Sequence, residues 1–82
     1  MNHERMIMKG QLAEIERRLT ALDLESKGDI ALIRLRLNPY EPDITKIKTG
    51  EALAAMTRLD KAVAEARELK ARIAELREAI DG

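Results

Sequence analysis

Eighty-two residues make one small domain with a thin core, and the chain holds no cysteine to staple it with a disulfide or to bind a metal through thiolates. Fifteen basic residues cancel fifteen acidic ones, which removes the long-range field that a general nucleic-acid binder uses. One aromatic residue, Tyr40, leaves Leu, Ile, Met and Ala to build the interior, a composition suited to helix-on-helix packing.

The start Met1-Asn2-His3-Glu4-Arg5 carries an acid and leads into no apolar stretch, so it does not read as a secretory signal. The longest run without a charge is Ala52 to Thr57, far short of the roughly 20 apolar residues that cross a bilayer. No membrane span and a cytoplasmic location are the expectations.

From Met8, the apolar residues Leu12, Ile15, Leu19 and Leu22 follow at alternating steps of four and three, the spacing of a coiled-coil seam. Beyond Leu22 the apolar pattern continues through Ser26, Ile30, Ile33 and Leu37. That path needs two consecutive steps of four at Ser26, a stutter that unwinds a supercoil locally. Gly28 sits beside it and costs about 1 kcal/mol against Ala inside a helix. A single helix over about 4–37 is the simpler reading, and a break near Ser26-Lys27-Gly28 stays open.

Pro39 and Pro42 each disfavour helical geometry in the residue before them, so the first helix stops near Leu37 and a loop covers about 38–48. Within the loop, Asp43 is placed to cap a short turn through Ile44 to Ile47. Thr49 is a second candidate cap, with Glu51 in the first turn of a helix over about 49–81. That second helix carries Ala52, Ala55, Leu59, Ala62, Ala66, Leu69, Ile73, Leu76 and Ile80 at alternating threes and fours without interruption.

If the helices fold back on each other, facing positions total a constant. Met8 with Ile80, Leu12 with Leu76, Ile15 with Ile73 and Leu19 with Leu69 each total 88, as do Leu22 with Ala66, Ser26 with Ala62 and Ile33 with Ala55. Half of that total falls inside the proline-bounded loop. The fold class is therefore all-α, an antiparallel, coiled-coil-like two-helix hairpin. The same contacts also form between two chains if the loop opens, so a closed hairpin and a swapped dimer are both compatible with the pattern.

A dozen large seam residues contribute ~1.5 to 3 kcal/mol each on burial, against ~1 to 2 kcal/mol for ordering each backbone residue. An isolated hairpin is marginal on those terms. Leu24, Ala31, Leu32 and Leu35 on the first helix and Leu53, Met56 and Val63 on the second leave the seam in the loop-proximal half. They form the expected association surface, and a homodimeric four-helix bundle is its simplest product.

Nothing points to catalysis. His3 is the only histidine, Glu14 and Glu16 stand about 200° apart on a helix, and the four methionines read as a start residue and packing. No enzyme activity, cofactor or metal is expected. Arg34, Arg36, Lys46 and Lys48 around Tyr40 give residues 34–48 a charge of +2 and make a candidate nucleic-acid contact, although Glu41 and Asp43 lie within it. There Tyr40 is expected to cover the end of the helical pair.

The Asn-x-Glu-Arg start at Asn2 to Arg5, the Leu-Asn-Pro-Tyr-Glu-Pro turn at 37–42 and the closing Ala/Glu/Leu/Arg helix resemble small proteins encoded in Mu-like prophages. The specific element is Asn38-Pro39-Tyr40-x-Pro42. The resemblance implies a cytoplasmic phage accessory protein and carries over no functional residue. Two function classes follow: a structural or protein-interaction module, and a nucleic-acid-associated accessory factor.

Overall fold

A computed structural model describes residues 2–82 of the chain. Helix α1 runs Asn2–Arg36 and helix α2 runs Thr49–Asp81, with a single 3-10 turn at Ile44–Lys46 between them. The two helices pack along their length as a hairpin. No helix among the described residues is long and apolar enough to cross a membrane.

Local chemistry accounts for the reversal. The Leu37 N–H still donates to Ile33 O at 2.9 Å, and Pro39 then prevents continuation. The Asn38 side chain accepts from Tyr40 N at 3.0 Å, an Asx turn that redirects the chain. Asp43, in extended geometry, accepts from Thr45 N at 3.0 Å and from Thr45 Oγ1 at 2.6 Å, and so caps the 3-10 turn as its position in the sequence suggested. These hydrogen bonds, the side-chain one first, lower the Asp43 pKa from its ordinary value. Thr49 is not a cap: it is the first residue of α2, and Lys48 before it makes no side-chain capping bond.

The inward residues of α2 are the nine of its expected seam, with Ala52, Ala55, Ile73 and Leu76 buried. On α1 the inward row is Met8, Leu12, Ile15, Leu19, Leu22, Ser26, Asp29, Ile33 and Arg36. The stutter is therefore absent. The steps of four and three run on without interruption, Asp29 and Arg36 take the inward places, and Ile30 and Leu37 stand outside at 40% and 46% exposure. A helix kept in one phase avoids the local unwinding that an extra step of four imposes. α1 also passes Gly28 unbroken, with nothing within 4 Å of the place a Cβ would occupy.

Charge pairing makes the two polar inward places tolerable. Asp29, whose side chain is only 16% exposed, accepts from Arg58 Nη2 at 3.0 Å and Nε at 3.1 Å. Arg36 meets Glu51 as an ion pair. Both pairs reach across the hairpin and total 87, one short of the seam's 88. With these two residues included, Asp29 takes its place opposite Leu59 and Arg36 opposite Ala52.

The product is a rod of 65 × 16 × 14 Å with a radius of gyration of 18.6 Å, where a compact chain of this length would have about 12 Å. Its accessible surface of 6575 Å² exceeds the ~5,000 Å² of a compact 9.3 kDa protein. The extra area is the physical cost of a core only one seam wide.

Candidate interaction surface

Seven-residue spacing on a helix of 3.6 residues per turn gives each inward residue one flank neighbour four positions away, after it for one half of the seam and before it for the other, about 40° round. On α1 the row after the seam is Glu16, Asp23, Ile30 and Leu37. On α2 it is Met56, Val63, Lys70 and Arg77. Because the helices are antiparallel, both rows fall on one face of the hairpin. A groove of about 520 Å³ there is lined by Asp23, Ile30, Val63 and Lys70, and the next one along the rod by Glu16, Lys70 and Arg77.

This face changes character along its length. At the end far from the loop it is ionic, with Arg77 Nη2 donating to Glu16 Oε1 at 3.4 Å. Toward the loop it is apolar: Ile30, Leu37, Met56 and Val63 are 37–48% exposed, half covered by the hairpin and half left to solvent. Met56 and Val63 come from α2, Ile30 from α1 and Leu37 from the residue just past the end of α1, so neither arm of the hairpin owns the patch.

The opposite face carries the rows that precede the seam, Gln11, Arg18, Glu25 and Leu32 on α1 and Glu51, Arg58, Glu65 and Arg72 on α2. Here charges close across the hairpin along most of its length. Arg18 donates to Glu65 in bidentate fashion, Nε to Oε2 at 2.7 Å and Nη2 to Oε1 at 3.0 Å. That hydrogen-bonded pair lowers the Glu65 pKa and raises that of Arg18. Arg58 and Glu51 turn inward from the same side to meet Asp29 and Arg36.

The residues expected to form an association surface are divided by these faces. Met56 and Val63 lie on the apolar face, with Leu53 at its outer margin. Leu24, Ala31 and Leu35 point away from the seam on the back of α1, where Leu24 and Leu35 are 75% and 67% exposed. Leu32 is half-buried on the charged face. Sequence reading missed Ile30 and Leu37, because an apolar residue was preferred over Asp29 and Arg36 for the seam. The signal that finds them is the opposite charge one register step away on the other helix, Arg58 for Asp29 and Glu51 for Arg36.

The loop-end residues do not converge. Arg36 is engaged by Glu51, while Arg34, Lys46 and Lys48 are exposed and Glu41 borders the same cleft as Lys46 and Lys48. Tyr40 is 88% exposed and does not cover the helical pair; the Asx turn at Asn38 holds its N–H while its ring stays in solvent. Among the described residues no group of three or more His, Cys, Asp or Glu converges into a metal-holding cluster. No family model, curated protein or solved structure matches the chain.

Proposed function

We propose that this chain is a non-enzymatic structural or protein-interaction module that associates with itself into a four-helix bundle through its helical surfaces. The observation that carries this reading is the face on which Ile30, Leu37, Met56 and Val63 stay half-exposed, with Ile30 and Val63 lining an open groove. Exposed apolar area gathered on one side and drawn from two elements marks contact surfaces. The rod also exposes roughly 1,600 Å² more than a compact chain of its mass, twice the ~800 Å² per partner of a standard interface. A role as a cytoplasmic accessory protein of a phage or prophage is part of the proposal and draws on the Asn38-Pro39-Tyr40-x-Pro42 element.

Size-exclusion chromatography with light scattering at tens of micromolar tests the self-association. Twice the 9.3 kDa chain mass is expected, and a monomer refutes the reading. The second reading, a nucleic-acid-associated factor, draws on the exposure of Tyr40, Arg34, Lys46 and Lys48 toward one end of the rod. Retention on heparin at moderate salt that is lost on Lys46→Ala/Lys48→Ala would favour it.

A further inference from the structure

We infer that the second copy lies side by side with the first, both loops at the same end, so that α1 of each chain runs antiparallel against α2 of the other. The inference rests on the self-association proposed above and adds the geometry, which comes from the signs of the two rows on the apolar face. Along α1 the row begins with Lys9 at the tip, is acidic at Glu16 and Asp23, and is then apolar at Ile30 and at Leu37 just past the helix end. On α2 it is basic over the same stretch of the rod, Arg77 and Lys70, and then apolar, Val63 and Met56. From Glu16 on, each residue of one row has a counterpart in the other, every pair totalling 93 and so offset from the seam's register by five residues, about 7.5 Å along the rod, a reach that Arg77 makes to Glu16.

Two such faces can close in two ways about a two-fold axis. With the loops together, α1 lies on α2 of the second copy at that same offset. Acids meet bases along the far half, apolar residues meet apolar residues along the loop half, and Lys27 at the margin comes level with Asp60 of the second copy. The contact extends along the whole rod. With the loops at opposite ends, α1 lies on α1 and α2 on α2. Full overlap then sets Asp23 against Asp23 of the other chain and Glu16 against Ile30, where carboxylates repel each other or lose water and gain no partner. Avoiding that requires sliding the rods until only their loop halves overlap, which gives up much of the contact.

The charge pattern thus selects one stacking by penalising the other. It also explains why the ionic and apolar stretches share one face. The apolar half supplies burial, and the ionic half sets direction.

A single spin label decides the geometry, and the absence of cysteine makes its placement simple. Gly10 lies on the outer surface of α1 near the far end, with nothing within 4 Å of an added Cβ. Label distances in the Gly10→Cys dimer are measured by pulsed electron resonance. With loops together they are set by helix spacing and the label arms, about 30 Å. With loops apart they are set by the helix rise over tens of residues, beyond about 50 Å. The short distance is expected. A dimer showing only the long one overturns this pairing while leaving self-association intact, whereas a monomer by light scattering removes both. As a second measurement, Asp23→Lys should weaken the dimer at least tenfold and Asp23→Lys/Lys70→Glu should recover most of the loss. Equal affinity in all three chains overturns the charge argument.

Discussion

The two faces of the hairpin flank one seam, and they differ in how completely the chain satisfies them by itself. On one face, Arg18 with Glu65, Arg58 with Asp29 and Arg36 with Glu51 close across the helices, so three pairs tie that side of the hairpin within the chain. On the other, one cross-helix pair, Glu16 with Arg77, is followed by four apolar side chains that the hairpin only half covers. The lesson is that a thin helical pair can fix its register with one side and keep the other for a partner. Register needs directional, paired contacts, while association needs area.

The largest effect should come from the seam that both faces share. Ile73→Ala is expected to cost ~2–5 kcal/mol of unfolding free energy and to lower stability on both faces together. A neutral result in urea melts would mean that the inward row is misassigned.

The next test separates the faces. Ile30→Glu places a charge in the proposed contact and is expected to raise the dimer dissociation constant at least tenfold, about 1.4 kcal/mol. Leu35→Glu, on the back of α1, should leave it unchanged, although Leu35 is the more exposed residue. Sedimentation of both variants checks this, and equal effects would erase the distinction between face and back.

The hairpin was legible in the sequence because its evidence was redundant. Two seams, read separately from apolar spacing, and a loop placed by proline chemistry gave one register. The division of the faces was not legible from apolarity alone, since Asp29 looks like a surface residue until its cross-helix partner is known. Moving two seam positions by one residue sent Ile30 and Leu37 from the core to the surface, and with them the centre of the interaction face. Tyr40 was misjudged for a related reason: an aromatic ring suggests cover, but its place follows from the turn that Asn38 holds by a backbone hydrogen bond, which hydropathy does not reveal.

A smaller effect tests the polar seam. Asp29→Leu would set a leucine opposite Leu59 and release Arg58, already 57% exposed, to water. Replacing a shielded ion pair by packing is often neutral or favourable, and a gain of about 1 kcal/mol is expected here. That gain would appear as a rise of several degrees in the thermal midpoint. A clear loss would show that Asp29 contributes more than tolerance.

The smallest effect concerns Glu65. Its folded pKa lies below the unfolded value, so its contribution is present above the unfolded pKa of about 4.3 and is lost as pH falls through the folded one. Glu65→Gln should therefore lower the thermal midpoint slightly at pH 7, less so at high salt. It should also flatten the decline between neutral pH and pH 3, and an unchanged acid profile would remove Glu65 from the account.

A rod 65 Å long and about 15 Å thick has a further consequence, for hydrogen exchange. Each layer of the seam touches only the layers above and below it, so the pair can open like a zip without global unfolding. The loop, held by the Asn38 and Asp43 turns, keeps the strands of the zip together at one end, while at the other a single bond from Arg5 Nη2 to Ile80 O at 2.8 Å ties the helices. Amide protection should therefore fall progressively from the layers around Leu22 toward Met8 and Ile80.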